Sequence, residues 1–596
     1  MAEEKRGGSL IDKSIDFLFA PGMIKYLIFA LILGTILRFI VANNVSVLAD
    51  EMLHGPHAMN IISSGVINLQ NQSPAWFYLT DIAYKLFGVN AIGGRFLSFF
   101  FGSLTILVIY LIGKELYNKK IAVISAILLA FSAFTIRYTL MEMDLAMIFF
   151  ILFGFYFFVK KMREKNEISY LAIICLSVAV LIKAIAIPFL ASFVFYIIYL
   201  SSRKTDRKVF LKKNTKRILI SAGIILLVIS PVLAYNIILY QQKGITDVLF
   251  SRFLKINPEI YSSLQGFDKD FSASYLVSDG IPFVFQSLIM HLDPLIFILG
   301  ILGTILIFSR KEYAKGRPFA LIHLLPLIFL MGTSLLQTHF VSFVPLMCLT
   351  GAIFIDFIST KFSKNNNSNK IIAGILLVVI IMNIFIIMPN LTSKSAIFKM
   401  RNYAVDNIGP RDIVVVDGRI YGGRIAWMFN DKSYLQSSYF GEFVKVNNNL
   451  SEKGVQTKVY FVECVIDDCG WGTIKDQPEF NASMEEYVRF FQSNAKLLET
   501  VNGGGGYGEE TGKPYFNVYI GSMIVKPSMY QMIKQTHDWF YYPVRWEKND
   551  WYDKYTPKGF FQVGLNSLGK LFLWLAVIFA IISPVLLVRE LIKTNK

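Results

Sequence analysis

The sequence predicts a mainly α, polytopic membrane helical bundle that carries a separate α/β domain, and three observations predict it. Hydrophobic residues fill 54% of the 596 positions, with 52 Phe among them, and the mean hydropathy is +0.50. That is more apolar sequence than a soluble core of this length needs. The apolar residues are strung into runs of roughly 20, the length of one helical crossing of a bilayer. From 390 to about 560 the pattern breaks, and charges, glycines and short alternating apolar stretches replace continuous hydrophobicity.

Taken in order, the spans are expected near 24–41, 95–113, 121–137, 144–159, 168–182, 184–200, 218–239, 283–308, 318–335, 340–358, 371–389 and 566–588, about twelve helices. Lys183 and Pro188 interrupt the apolar run 168–200, which implies a tight turn or a broken helix. The net charge of +17 does not point to nucleic acid, because the Lys and Arg residues collect between spans. The basic segments Gly113–Lys120, Lys160–Glu167, Ser201–Arg217, Ser309–Arg317 and Ser359–Lys370 occupy alternate loops, which the positive-inside rule makes cytoplasmic together with both termini. The loop 42–94 and the segment 390–565 then lie outside. No cleavable signal is evident, since the first span is long enough to anchor.

Three domains are expected: a membrane module over 1–389 with a functional outer loop at 42–94, an extracytoplasmic α/β domain over 390–560, and a last span with a cytoplasmic tail over 561–596. "DIVVVDG" (412–418) and "TKVYFVECV" (457–465) read as buried strands, and 484–498 has helical apolar spacing. The glycine-rich Asn502–Pro514 reads as a loop, without the following helix that phosphate cradling requires. Cys175 and Cys348 fall in apolar spans as packing residues. Cys464 and Cys469 are placed to form a small disulfide loop, given an oxidising compartment. The aromatic stretch His537–Tyr555 reads as an interfacial belt or as a platform for a glycan or lipid.

The most informative local feature is the acidic pair Asp50-Glu51, just beyond the first span in "ADEMLHGPHAMNIISSG". From there the order of strings resembles the polyprenyl-phosphate-sugar-dependent glycosyltransferases of the GT-C fold. That superfamily includes the dolichyl-phosphate-mannose protein mannosyltransferases and the bacterial lipid A aminoarabinose transferase. The match runs through "QSPAWFYLTDIAYKLFG" (72–88), Gly93–Phe158 and "LIKAIAIP" (181–188), and more loosely through "SLLQTHFVSFVPLM" (334–347). One departure is Gln72-Ser73-Pro74-Ala75, where family members often carry Lys or His before a double proline.

The resemblance implies transfer of a sugar from a dolichyl or undecaprenyl phosphate to an extracytoplasmic acceptor, whether protein, glycan or lipid. It marks Asp50 as the catalytic acidic residue, with Glu51 orienting acceptor or base. A carboxylate can take the proton of a poor alcohol nucleophile in the transition state, and cations can stabilise the departing phosphate. Lys183 is the first candidate cation, because an ammonium between "AVLI" and "AIAIP" is costly in hydrocarbon unless it meets water or an anion. Arg137 and Arg252 follow, and His339 in the loosely matching string joins the substrate-binding candidates. By resemblance, Asp144 is the acidic residue that opens its helix; it and Glu142 suit acceptor positioning, a metal or a helix cap. Asp50, His54 and His57 would share one helical face, so a divalent metal is possible, although the spacing is not that of a zinc hydrolase. His57 is kept as a substrate-binding candidate. A transporter or a non-catalytic subunit that binds lipid-linked glycan are the rival readings. An oligosaccharide transferase is disfavoured because the "WWDYG" signature is absent.

Overall fold

The computed structural model describes residues 24–595 except 46, 48, 60, 65–66, 68–72, 203–206, 258–270, 290–291, 334–335, 363–367, 421, 467–468, 470–477, 505–508 and 534–554. Gln72 and the aromatic stretch up to residue 554 therefore lie outside the described residues, as does the side chain of Asp50.

Among the described residues seven helices are long and apolar enough to cross a membrane, and a bent pair makes eight. Three shorter apolar helices, Tyr170–Ile182, Ala184–Leu200 and Pro294–Ser309, add to these. The protein is a multi-pass membrane protein, its apolar runs helical among the described residues and several of them divided. The 218–239 run belongs to the bent pair, Lys212–Val228 and Ser230–Lys243, which meet at 55°; Pro231 lies in the first turn of the second helix, where its missing N–H costs nothing. The 283–308 run breaks before Asp293 into a π-helical segment and the helix Pro294–Ser309. The 121–137 run becomes Lys119–Ala130 and the five-residue helix Ala133–Arg137.

The Ala91–Leu116 and Asp144–Lys165 helices form the centre of the bundle, buried along most of their length, while Lys25–Asn44 and Gly559–Thr594 lie at its edge. Close approaches are made through small residues, as packing in lipid favours. The Pro294–Ser309 helix lies against Val344–Phe362 at Gly300 and Gly303, where a Cβ at 303 would overlap the Thr350 backbone, and the Thr350 hydroxyl donates to the Gly300 carbonyl at 2.8 Å.

Two buried charges hold the middle of this bundle. Arg38, fully buried, donates to the carbonyls of Gly34 (2.9 Å), Ala130 (3.1 Å) and Leu129 (3.0 Å) and to the Thr135 hydroxyl (2.8 Å). It thereby satisfies carbonyls left over at the end of the Lys119–Ala130 helix. Asp293 accepts from the Ser132 hydroxyl (2.5 Å), the backbone N–H of Ala133 (2.7 Å) and the Asn383 amide (3.1 Å). Together they hold the Ala133–Arg137 helix at its N-terminal end, Asp293 by its first N–H groups and Arg38 by Thr135 and the carbonyls just before it.

The α/β unit is a five-stranded sheet with order β2-β1-β3-β5-β4. β1 (Ile413–Val416) runs parallel to β2 (Ser433–Gln436) and β3 (Val455–Cys464), and β5 (Pro514–Val525) runs antiparallel to β3 and to β4 (Lys496–Asn502). β1 is buried on both faces, as a continuous apolar strand in a parallel pairing requires. One face packs Phe443, Phe461, Val488 and Phe491 under helices Phe440–Asn449 and Pro478–Asn494. The other face, with Val414, Val416, Tyr460 and Val462, is continuous with the bundle core. The helix expected to run to 498 stops at Asn494, and Lys496–Leu498 begin β4 instead. The glycine loop after β4 acts as a buckle: Glu509 accepts from the Gly504 N–H (3.0 Å), the Ser395 hydroxyl (2.5 Å) and the Ala396 N–H (2.7 Å). Cys464 and Cys469 are disulfide-bonded.

Asp293→Ala leaves the Ser132 hydroxyl and the Ala133 N–H without their acceptor, and should destabilise the protein by roughly 1–3 kcal/mol per orphaned group. Thermal melts in detergent check this, with Asp293→Asn expected to lose less than Asp293→Ala.

Candidate active site

The acidic pair opens the helix Ala49–Ala58. Glu51 is fully buried against an equally buried Arg95, with Nε to Oε1 at 2.7 Å and Nη2 to Oε2 at 2.8 Å. Two parallel N–H···O bonds are the geometry in which arginine recognises a carboxylate best. The same guanidinium donates to the carbonyls of Ala42 and Val45, both at 2.8 Å, which closes the end of the first helix, Ile24–Asn44. Glu51 Oε1 also accepts the Met141 N–H at 2.5 Å. One carboxylate therefore joins the first span, the Ala91–Leu116 helix and the turn before Asp144. Arg95 stands in the string "GGRFLSFF", and sequence reasoning passed over it; an arginine inside an apolar run was the available signal.

The helix Pro74–Phe87 packs beside this junction. Its Asp81 is buried, accepts the Ile62 N–H at 3.0 Å and pairs with Lys85 at 3.3 Å. Phe77 lies edge-on between the rings of His54 (5.9 Å) and His57 (4.7 Å). Burial, aided by neighbouring His54, lowers the His57 pKa to about 3. The imidazole is thus neutral at physiological pH and offers a substrate no positive charge. Among the described residues no three His, Cys, Asp or Glu side chains are grouped to hold a metal ion.

The second cluster forms where the apolar run breaks. The helix Tyr170–Ile182 ends at Lys183, which is extended (φ −149°, ψ 127°), and a short 3-10 turn, Ala184–Ala186, leads into Ile187–Ser202. Pro188 sits in the first turn of that helix, where the ring fits. The break turns the Lys183 ammonium onto Asp144, 2.6 Å away, with Glu142 at 3.9 Å. All three side chains are buried. His339 lies within electrostatic reach of the Lys183 ammonium. Arg137, half-buried, ends the Ala133–Arg137 helix that Arg38 and Asp293 clamp. The neighbouring Tyr138 hydroxyl donates to Gln337 at 2.7 Å, tying this turn to the segment that bears His339.

Lys183, Asp144, Glu142 and His339 are therefore brought together, and Glu51 connects to them through the Met141–Asp144 turn. His57 sits apart in the aromatic packing. Arg252 is on the helix Val248–Leu254, whose Val248, Leu249, Phe250 and Phe253 line one wall of a cavity of about 110 Å³. Ala184, directly after Lys183, Ile187 and Ser73 line the same cavity, as does Asp247. The arrangement supplies a buried cation held by carboxylates, and the residue that follows it in sequence, Ala184, lines a largely apolar cavity that also includes Asp247.

Residues 71–235 match the family model described as dolichyl-phosphate-mannose-protein mannosyltransferase. A curated relative from Aquifex aeolicus, described only as an uncharacterized protein, is 30% identical over 183 residues, 29% of this chain and 36% of that one. The alignment thus spans about a third of the relative's length. Among solved structures, ArnT from Cupriavidus metallidurans bound to undecaprenyl phosphate is similar with a TM-score of 0.52 at 10% identity, covering 84% of this chain and 98% of that one. The archaeal oligosaccharyltransferase AglB from Archaeoglobus fulgidus, in complex with an inhibitory peptide and a dolichol-phosphate, is similar at a TM-score of 0.45 and 14% identity, covering 75% and 70% of the two chains. The fold is GT-C, as the ordered strings implied.

Two outcomes test the site. Glu51→Gln leaves the Arg95 charge buried without its counterion and should cost about 3–5 kcal/mol of stability, read as a large fall in Tm; Arg95→Met combined with Glu51→Leu should cost less than either change alone. For His57, the unfolded chain takes up a proton near pH 6.5 while the folded one resists until about 3. Its contribution is thus complete above pH 6.5 and is lost as pH falls from there towards 3. Melting curves across that window should flatten in His57→Phe relative to wild type.

Proposed function

We propose that this protein is a glycosyltransferase that moves a hexosyl or pentosyl group from a polyprenyl phosphate to a protein, glycan or lipid acceptor outside the cytoplasm, with inversion at the anomeric carbon. The observation that carries this reading is the buried Lys183 cluster, whose next residue Ala184 lines the cavity, set within a GT-C fold and joined to the acidic pair through the Met141–Asp144 turn. A lipid phosphate needs a cation for its charge and an apolar wall for its chain, and those two features adjoin at Lys183 and Ala184. The family match over 71–235 and the lipid phosphate in the ArnT crystal agree with it.

In this reading Asp50 is the base. Glu51 is already engaged by Arg95 and the Met141 N–H, so the pair divides its labour: one carboxylate holds the helix and the other removes the acceptor's proton. The acceptor oxygen attacks the anomeric carbon as the bond to the phosphate oxygen breaks, and a single displacement inverts the centre. Lys183 and Arg137 stabilise the charge that grows on the leaving phosphate. Glu142 and Asp144 keep the ammonium ionised and aimed, while His339 and the Arg252 helix border the donor. The Cys464–Cys469 bond and the basic loops support an orientation with the acidic helix and the 390–560 domain outside and both termini inside.

Transfer from radiolabelled polyprenyl phosphate sugars in membranes tests the reading. Wild type should transfer, and Asp50→Asn should lose about two to four orders of magnitude while still binding donor. Undiminished transfer by Asp50→Asn would remove Asp50 from catalysis. Sugar flux through liposomes without transfer would favour a transporter.

A further inference from the structure

The sheet domain reaches the acidic helix through one side chain. Trp427, on the helix Gly422–Phe429, is 1% exposed, and its indole meets residues of the first loop and of the Arg95 helix. Its indole fills a slot that only glycines leave open. A Cβ on Gly55 would lie 2.9 Å from the indole Nε1, and one on Gly94 would overlap the six-membered ring. The indole N–H donates to the Glu51 carbonyl at 3.4 Å. Tyr84 stands edge-on to the indole at 6.3 Å and donates from its hydroxyl to the Gly55 carbonyl at 3.3 Å.

The same domain covers the other side of the buried ion pair. Phe398, from the helix Ala396–Asn407, lies over the Arg95 guanidinium at 5.1 Å and meets Trp427 at 6.3 Å. The Asn430 amide donates to the Val89 carbonyl at 3.0 Å, holding the turn from which the Arg95 helix starts. Attachment alone does not require this. Glu509 already buckles the domain at Ser395 and Ala396, and Asn44 donates to the Asn390 and Leu391 carbonyls at 3.2 and 2.9 Å. What Trp427 adds is contact with the backbone of the acidic pair and with the two glycines that flank it.

We propose that Trp427 is a positioning residue for the transfer reaction, its indole setting the depth and angle of the Ala49–Ala58 helix and, through it, of the acidic pair. The inference rests on Asp50 as base, and it extends that reading by making the sheet domain part of the reaction centre. A base displaced by about 1 Å loses up to a hundredfold in rate without losing its substrate.

The test uses the full-length protein in nanodiscs, with transfer kinetics and hydrogen exchange measured on Trp427→Ala, Trp427→Phe and Gly94→Ala. Trp427→Ala should lower kcat about 10–100-fold with little change in the donor KM, and should speed exchange over 49–58 while β1 stays protected. Trp427→Phe, which refills most of the slot, should recover most of the loss. Gly94→Ala should reproduce the defect by expelling the indole, and adding Trp427→Phe should relieve part of it, a non-additivity expected only of residues in contact. Unchanged kcat and unchanged exchange over 49–58 in Trp427→Ala would overturn the proposal. So would equal loss of protection in loop and sheet, which marks general destabilisation. If wild type itself transfers nothing, exchange still decides the interlock while the transferase reading fails.

Discussion

The bidentate pair between Arg95 and Glu51 is the interaction on which the rest of this architecture depends. Removing two charges from water costs several kcal/mol per ion, and only good geometry with further hydrogen bonds offsets it. Both conditions are met, since Arg95 makes at least four hydrogen bonds and Glu51 accepts a backbone N–H besides its two from arginine. Lysine would not serve, because a point charge has no planar fork to span a carboxylate and two carbonyls. Through this pair the end of the first span, the long central helix and the turn before Asp144 share one set of contacts.

The same turn is fixed from within the bundle. Arg38 and Asp293 grip the Ala133–Arg137 helix, and Lys183 draws in Asp144 from the broken span. Each is an ionisable residue in an apolar setting, where its cost is tolerable only when every partner is present. Rigidity at the site therefore comes from charges satisfied by neighbours, and the apolar helices supply the frame that keeps water away from them.

Much of the membrane architecture was legible because apolar run length is a direct consequence of bilayer thickness. β1 and β3 were legible for a similar reason, since "IVVV" and "VYFVEC" can be buried only as strands here. Lys183 stood out because its flanks leave an ammonium nowhere to go. The breaks were less visible: 283–308 and 121–137 read as single spans, since hydropathy averages over a polar residue such as Asp293, whose carboxylate caps the start of the Ala133–Arg137 helix. Arg95 and Arg38 each stand out as an arginine in an apolar run, but carboxylate and hydroxyl partners 44 and 97 residues away gave no local pattern that would have identified their role. Trp427 was invisible for the same reason, as its slot is made by glycines in another domain.

That last separation has a consequence for how the protein is made. The Glu51 carbonyl and the Trp427 indole are 376 residues apart, and synthesis at about 5–20 residues per second separates their emergence by roughly 20–75 s. Throughout that interval the first loop is already beyond its span, yet the wedge that seats it does not exist. A growing or truncated chain thus carries its acidic residues in an unseated helix. On the proposed role of Trp427, transfer is withheld until the sheet domain has been translated, folded and docked.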